Sequence, residues 1–227
     1  QIAECIYGLV HTLDGLCFAH EDLAVRQQAI ERVHEAIDAF CDLEPLKPMI
    51  VIGLLKGRLS DASQPAVAVA HIDECLRACC EYADEHDVQV LLEPANRYEY
   101  DYLFTVGEAV GVIDRLGARN LGVVADVFHM NIEERSLPAT LCRYRQHIRH
   151  VHLADSDRWY PGHGHIDFKM ILETLQAIGY QGHAGVECLP RPDGWTAACH
   201  ARQYLQHLLD LMDPSIEGRP AEDTGVR

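Results

Sequence analysis

The sequence predicts an α/β fold in which parallel strands alternate with helices. Short, largely apolar runs alternate with longer segments of helical periodicity along the whole chain, which is typical of repeated βα units. The 227 residues, 48% of them hydrophobic, suffice for one compact domain. Neither GxGxxG nor GxxxxGK[ST] occurs, so an open doubly wound nucleotide-binding sheet is disfavoured relative to part of a (βα)8 barrel.

Six segments have the length and composition of strands. Each is a short run rich in apolar residues, as expected for strands that are buried on both faces. The chain between consecutive segments is long enough for the crossover helix that parallel pairing requires. The segments cover residues 5–10, 49–55, 88–92, 121–125, 150–153 and 183–188.

The helices between these strands have recognisable ends. Pro65, a residue type tolerated in a first helical turn, precedes the second helix. Thr105 and Glu108 form a capping box at the start of the third helix, and Gly117 is a typical C-terminal stop. We therefore predict helices over 23–40 and 66–83, from Thr105 to Gly117, and from Asp167 to Gly179.

The composition disfavours several classes of protein. With 35 acidic and 19 basic side chains the net charge is −16, which disfavours binding to the phosphate backbone of nucleic acids. No apolar run approaches the roughly 20 residues of a membrane-spanning helix, and no secretory-signal pattern opens the chain. We expect a cytoplasmic protein without nucleic-acid or membrane partners. The composition does not decide the oligomeric state, and a homo-oligomer is one of the states left open.

The nine cysteines are scattered and odd in number, so we expect free thiols rather than a disulfide framework. Three of them, Cys75, Cys79 and Cys80, fall in one helical segment, where residues four apart share a face that could seat a soft metal. We interpret them as buried apolar side chains, because Cys is among the most buried residue types.

Four consecutive strands carry a metal-ligand residue type at their C-terminal ends. Glu93, Asp126, His152 and Glu187 follow one another at separations of 33, 26 and 35 residues, each about one βα unit. Their side chains should therefore converge on one rim of the sheet, where barrel active sites lie. Any one of them alone would more often be a solvated or hydrogen-bonded residue. Four in succession favour a site for a divalent cation, since buried ionised groups are costly unless paired or metal-bound.

The ligand types narrow the choice of cation. Three carboxylates and one imidazole suit Mn²⁺, Mg²⁺ or Co²⁺ better than a structural zinc. We expect one divalent ion per chain, Mn²⁺ in the first place, with Mg²⁺, Co²⁺ or Zn²⁺ as alternatives.

Four segments around these residues resemble the xylose-isomerase-like TIM-barrel superfamily. The resemblance covers nearly the whole chain and is closest to sugar isomerases and epimerases similar to D-tagatose 3-epimerase and hydroxypyruvate isomerase. The segments are 92–99 (LEPANRYE), 126–134 (DVFHMNIEE), 150–158 (HVHLADSDR) and 161–168 (PGHGHIDF).

The resemblance implies a role for each matching site residue. It implies metal ligation by the same four strand-end residues and a sugar or hydroxyketone as the substrate. It also implies that His129 and Arg158 hold substrate oxygens beside the metal, and that Glu99 contacts the far end of the substrate. His150, by contrast, is expected to pack or hydrogen-bond on the side of its strand opposite to His152.

The resemblance also implies that part of the barrel is missing. The metal-binding glutamates of the family stand on the fifth and eighth strands, so the first strand of this chain corresponds to the third. We therefore expect a (βα)8 TIM barrel lacking its first two βα units, with residues 1–213 as a single partial barrel domain. Residues 214–227, rich in Pro, Gly and charge, are expected to be a polar tail.

The function implied is that of a divalent-metal-dependent isomerase or epimerase acting by proton transfer through a metal-bound enediolate. Glu93 and Glu187 stand at opposite ends of the ligand set, so one would abstract the carbon-bound proton and the other return it. Two alternatives stay open: a dehydratase similar to inosose dehydratase on the same scaffold, and a catalytically inactive metal-binding fragment. A nuclease similar to endonuclease IV is disfavoured by the net charge of −16.

Overall fold

The computed structural model describes residues 4–6, 9–45 and 47–212. Six strands and eight α-helices lie in this part of the chain, together with two short 3₁₀ turns, Leu54–Lys56 and Leu59–Asp61. In chain order the elements are β1 (Cys5–Ile6), α1 (Leu9–Asp14), α2 (Leu23–Cys41), β2 (Met49–Ile52), α3 (Pro65–Glu85), β3 (Gln89–Leu92), α4 (Val106–Leu116), β4 (Leu121–Asp126), α5 (Val127–Glu133), α6 (Leu137–Tyr144), β5 (Ile148–Leu153), α7 (Phe168–Ala177), β6 (His183–Val186) and α8 (Gly194–Met212).

All six predicted strands are present, and the largest error lies in the first. The run 5–10 was expected to be one strand, but among its described residues Cys5–Ile6 forms the strand and helix α1 begins at Leu9. An apolar run alone does not distinguish a strand from a buried helical segment, which explains the error. Strand β2 also ends earlier than predicted, because the chain turns into the first 3₁₀ turn after Gly53.

The four predicted helices are confirmed as α2, α3, α4 and α7. The capping box of α4 is complete, and Gly117 ends that helix in the left-handed region with φ of 67°. The helices α1, α5, α6 and α8 were not predicted. Two of them, α5 and α6, span 7 and 8 residues, which is too short for a clear helical period. The predicted tail, residues 214–227, lies outside the described residues.

The six strands form one parallel sheet in the order β1-β2-β3-β4-β5-β6. Strands β1 and β6 are its two edges, so the sheet is the partial barrel that the sequence predicts. The register places Val90 beside Ile50, Asp126 beside His152, and His152 beside Gly185. Because the strands are parallel and paired in this register, their C-terminal ends lie at one rim of the sheet.

The two faces of the sheet differ in chemistry. The outer face packs against the helices in one large core, which includes Ile50, Leu92 and Val123. The inner face carries a small apolar cluster of Met49, Val51, Leu91 and Val124. Side chains alternate between the two faces with a period of two. The inward-facing positions beyond this cluster, toward the C-terminal ends of the strands, carry ionisable side chains.

The cysteines agree with the expectation of free thiols. All nine cysteines are free, and Cys75, Cys79 and Cys80 are buried in the core. Burial raises the pKa of these thiols, that of Cys75 and of Cys80 to about 12. Among the described residues, no helix combines the length and the apolar character needed to cross a membrane.

Asn120 ties the start of two strands to the end of α3, which gives a test of the fold. Its side chain is buried, and Nδ2 donates hydrogen bonds to the carbonyl oxygens of Cys80 at 2.9 Å and Val88 at 3.2 Å. We expect Asn120→Ala to lower the free energy of unfolding by about 1–3 kcal/mol, because two buried carbonyls lose their donor. Urea unfolding followed by circular dichroism measures the change.

The control is Gln203→Ala, which truncates an exposed side chain on α8 and should change stability by no more than about 0.5 kcal/mol. An Asn120→Ala protein as stable as this control would show that the two carbonyls do not depend on the amide.

Candidate active site

The four predicted ligand residues lie together at the C-terminal rim of the sheet. Glu93 directly follows β3, Asp126 ends β4, His152 lies in β5, and Glu187 directly follows β6. One ligand atom from each lies within 4.8 Å of all the others. Asp126 and His152 are almost fully buried, Glu93 is buried, and the Glu187 side chain is 30% exposed.

The imidazole of His152 is the centre of this cluster. Its Nδ1 lies 3.0 Å from Oε1 of Glu93, 3.3 Å from Oε2 of Glu187 and 3.9 Å from Oδ2 of Asp126. One nitrogen therefore faces all three carboxylates.

Asp126 serves both the fold and the site. It is the last residue of β4 and the N-cap of α5, and its Oδ1 accepts hydrogen bonds from the backbone N–H groups of Phe128 and His129. The second oxygen, Oδ2, accepts from Arg158 at 2.9 Å. Because α5 begins where β4 ends, the turn fixes Asp126 and His129 relative to each other.

Glu93 depends on a glycine and a lysine of the neighbouring β2 segment. A Cβ on Gly53 would collide with Oε2 of Glu93, so the strand approaches this carboxylate at a residue without a side chain. Lys56, which is fully buried, donates from Nζ to the carbonyl oxygens of Gly53 at 2.9 Å and of Glu93 at 3.1 Å. Burial lowers the pKa of Lys56 to about 8, although the charge of Glu93 opposes this shift.

Arg158 reaches the cluster from the loop after β5. Its guanidinium donates to Oδ2 of Asp126 at 2.9 Å and to Oε2 of Glu187 at 2.7 Å, and it lies 4.7 Å from the centroid of the Phe128 ring. The backbone of Arg158 is in the left-handed region with φ of 63°, where a non-glycine residue is uncommon. The surrounding loop therefore has to hold it there.

Asp155 provides that support. Its carboxylate is fully buried and accepts hydrogen bonds from the backbone N–H groups of Ser156, Gly162 and Ile166 at 2.8 to 3.1 Å. The N–H of Arg158 in turn donates to the carbonyl of Asp155 at 2.8 Å. Burial of Asp155 acts to raise its pKa, but these backbone donors outweigh burial and lower it. The loop is thus organised around an ionised carboxylate.

His129 lies in the first turn of α5, with its ring almost fully buried. Its Nδ1 accepts a hydrogen bond from the backbone N–H of Asn96 at 3.2 Å and lies 2.8 Å from the Asn96 amide nitrogen. Burial lowers the pKa of His129 to about 4, with Arg158 acting in the same direction. The ring is therefore neutral, and with Nδ1 as acceptor its proton is on Nε2, which lies 3.4 Å from Arg158.

Glu99 stands apart from the cluster but is connected to it. It is an exposed loop residue whose carboxylate accepts from the Asn96 side chain at 2.9 Å, so Asn96 joins Glu99 to His129. The backbone oxygen of Glu99 accepts from Arg58 at 2.7 Å. Arg58 and Glu99 line a polar cavity of about 500 Å³. The other residues that line it are His11, Thr12, Leu54, Asp61, Tyr98 and Tyr100.

Burial and the neighbouring charges shift the pKa values of three members of the cluster, Asp126, His152 and Glu187. Burial raises the pKa of Asp126 to about 7, helped by Glu93 and Glu187 and opposed by Arg158. Burial alone would lower the pKa of His152, but hydrogen bonds to carboxylates, that of Glu187 first, raise it to about 12. Burial acts to raise the pKa of Glu187, but His152 and Arg158 outweigh burial and lower this pKa to about 2.

This donor set fits a divalent cation. Hard oxygen ligands from three carboxylates and one imidazole nitrogen surround a common centre, and two cationic groups stand against three acidic ones. A cation of charge two would offset the remaining repulsion, and its binding would release the Nδ1 proton of His152. The geometry and the chemistry of the four side chains are therefore compatible with the expected metal.

The sequence prediction for His150 is wrong. It was expected on the opposite side of β5 from His152, but residues two apart in a strand share a face. The two rings lie 5.2 Å apart, and both face Glu4, a residue that the sequence pattern did not single out. Lys56 was missed as well, although its place just after a predicted strand could have drawn attention to it.

Comparisons of sequence identify the family. The family model for the xylose isomerase-like TIM barrel matches residues 4–208. The D-psicose 3-epimerase of Enterocloster bolteae is 32% identical over 195 residues, 82% of this chain and 64% of that protein. The ketose 3-epimerase of Arthrobacter globiformis is 30% identical over 171 residues, 74% of this chain and 58% of that protein. The chain thus spans less than two thirds of either relative.

Solved structures agree in fold. An L-ribulose 3-epimerase superposes with a TM-score of 0.78 at 25% identity, over 91% of this chain and 76% of that one. The apo form of 3-keto-D-glucoside 4-epimerase from E. coli superposes with a TM-score of 0.77 at 24% identity, over 92% of this chain and 78% of the other. With its six parallel strands, its polar rim and the match over residues 4–208, this chain belongs to the xylose isomerase-like TIM barrel family.

Proposed function

We propose that this chain carries the metal-binding and proton-transfer residues of a divalent-metal-dependent isomerase of ketoses or hydroxyketones, with epimerisation at C3 as the favoured reaction. The observation that carries the proposal is the convergence of Glu93, Asp126, His152 and Glu187 within 4.8 Å at the C-terminal rim. Relatives that are ketose and D-psicose 3-epimerases support epimerisation over dehydration.

The metal would be held by these four side chains, and Mn²⁺ is the ion we expect. When bound, it supplies a Lewis acid that polarises the carbonyl of the substrate and acidifies the neighbouring carbon-bound proton. The remaining work of the reaction falls to residues of the chain itself: removing that proton, returning it, and stabilising the oxygen on which charge develops.

Glu93 and Glu187 are the proposed acid-base pair. They follow β3 and β6, which are separated in the sheet by two strands, so they stand on opposite sides of the cluster. One carboxylate takes the proton from C3 of a ketose to give an enediolate, and the other returns a proton to the opposite face, which inverts that carbon. Return of the proton to the neighbouring carbon instead would move the carbonyl.

His129 and Arg158 are the proposed holders of the substrate oxygen. The neutral His129 offers a donor on Nε2, and the Arg158 guanidinium lies beside it and between Asp126 and Glu187. Donors fixed in advance at the place where negative charge develops are the main source of this kind of stabilisation. Glu99, with the cavity that it lines, is the proposed contact for the far end of the substrate.

The metal proposal predicts one Mn²⁺ per chain, measured by isothermal titration calorimetry on protein stripped with a chelator. Asp126→Ala should weaken binding by at least about 100-fold, because it removes a buried anionic ligand. Chelation should abolish turnover, and added Mn²⁺ should restore it. Glu173→Ala, which removes an exposed carboxylate on α7 that pairs with Lys169, is the charge-matched control and should bind Mn²⁺ as the parent does.

Asp126 also caps α5, so Asp126→Asn serves as the second variant, since its amide oxygen can still cap the helix. Equal Mn²⁺ affinity in the parent, Asp126→Ala and Asp126→Asn proteins would place the metal elsewhere and overturn the assignment.

The acid-base proposal predicts that Glu93→Gln and Glu187→Gln each lower kcat by about 100-fold or more, with a much smaller change in KM. Glutamine keeps the shape and one oxygen but cannot accept the proton. Turnover is followed on a panel of ketoses that includes D-psicose, D-tagatose and L-ribulose. In D₂O the parent protein should place deuterium at C3 of the product.

Each other outcome identifies a different reaction. Product without solvent deuterium would indicate internal hydride transfer and remove the two-glutamate mechanism. Loss of water from the substrate would establish the dehydratase alternative. Metal binding without turnover of any ketose would leave the inactive metal-binding protein as the correct description.

A further inference from the structure

Glu4 contacts both histidines of β5 from the far edge of the sheet. It directly precedes β1, and its Oε2 lies 3.0 Å from Nε2 of His152, while Oε1 lies 3.1 Å from Nε2 of His150. The Glu4 side chain is 15% exposed, and both imidazoles are buried. One carboxylate thus spans the interior of the partial barrel and meets each ring with a different oxygen.

The neighbouring strand β6 leaves room for this contact. Gly185 pairs with His152 in the parallel register, and a Cβ at Gly185 would come within 3.0 Å of Oε1 of Glu4 and 3.1 Å of Nε2 of His150. These distances are shorter than ordinary van der Waals contact, so a larger residue would push the carboxylate and the ring apart. The contact of Glu4 with the two histidines therefore depends on residues of β5 and β6 and on the residue that precedes β1.

We propose that Glu4 is a positioning residue for the metal ligand His152. The inference rests on the metal site of the proposed function and extends it to a residue outside the ligand set. Nδ1 of His152 faces Glu93, Asp126 and Glu187, whereas Nε2 faces Glu4. The two nitrogens of one ring thus have separate partners.

The chemistry of histidine ligands gives this arrangement a purpose. A metal-bound histidine uses the lone pair of one nitrogen and donates the N–H of the other, most often to a carboxylate or carbonyl. That second bond fixes the tautomer and the ring orientation and makes the ligating nitrogen more basic. Glu4 Oε2 accepts from Nε2–H of His152, which leaves Nδ1 as the ligating atom.

His150 lies beside the second carboxylate oxygen of Glu4. Its ring is 1% exposed, and among the described residues neither nitrogen makes a well-directed hydrogen bond, although Nε2 lies at ion-pair distance from Glu4. Glu4, His150 and His152 are also close enough to one another to hold a cation of their own, and the test must separate this alternative from positioning.

Metal affinity is the first test, measured by calorimetry with Mn²⁺ on the purified protein. We expect Glu4→Ala to weaken binding by about 10-fold to 100-fold, the range found when the partner of a ligating histidine is removed. Glu4→Gln removes the charge but keeps an oxygen that can accept from Nε2–H, so it should lose less than about 10-fold. Glu173→Ala, a distant carboxylate, controls for net charge and should match the parent.

The second test is spectroscopic and does not depend on activity. In protein loaded with diamagnetic Zn²⁺, nitrogen-15 spectra should show His152 with a protonated Nε2 and a metal-bound Nδ1. The Hε2 proton should exchange slowly in the parent and in Glu4→Gln. In Glu4→Ala we expect this proton to exchange fast or the tautomers to mix, with circular dichroism and the thermal midpoint confirming that the variants are folded.

Several results would overturn the positioning role. Equal affinity and an unchanged His152 spectrum in Glu4→Ala would show that Glu4 does not act on the ligand. Two bound Mn²⁺ per chain in the parent, falling to one in Glu4→Ala, would make Glu4 a ligand of a second cation. A Glu4→Gln protein as impaired as Glu4→Ala would show that the charge acts rather than the hydrogen bond.

The same experiments keep this inference distinct from the proposed function. A parent protein that binds no divalent cation would contradict the metal site, and with it both proposals. A parent that binds Mn²⁺ and epimerises a ketose, beside a Glu4→Ala protein that equals it in affinity and spectrum, would contradict only the role of Glu4.

Discussion

Two buried carboxylates and a partly buried one share one buried imidazole, and much of the structure serves to make this pairing possible. An isolated ion inside a protein costs several kcal/mol even after relaxation, so Glu93, Asp126 and Glu187 could not be brought together without compensating charge. His152 and Arg158 supply it at distances of 2.7 to 3.9 Å. Two cations against three carboxylates still leave a site that favours a further positive charge.

The parallel sheet delivers these groups, and the segments around it hold them. Period-two alternation puts Asp126 and His152 on the inner face of paired strands, one step beyond an apolar layer. Outside the strands, the buried carboxylate of Asp155 organises the loop that carries Arg158 in a left-handed conformation. Glycine at position 53 clears space for Glu93. Fold and site therefore depend on the same few backbone positions.

Local rules of sequence are sufficient to place the ends of β3, β4 and β5, and they fail where distant residues meet. Apolar runs identify the strand ends, and the parallel arrangement of the strands then places Glu93, Asp126, His152 and Glu187 on one rim. The contact of Glu4 with His152 joins residues 148 positions apart, and no local pattern indicates it. The direction of His150 is a different matter, because the period of a strand correctly applied places it beside His152.

The central claim is that one cation binds between Glu93, Asp126, His152 and Glu187, and anomalous diffraction at the manganese edge tests it most directly. Crystals grown with Mn²⁺ should show one strong peak per chain, about 2.0–2.6 Å from an oxygen of each carboxylate and from Nδ1 of His152. A peak held by other residues, or no peak in crystals that diffract well enough to place these side chains, would contradict the account.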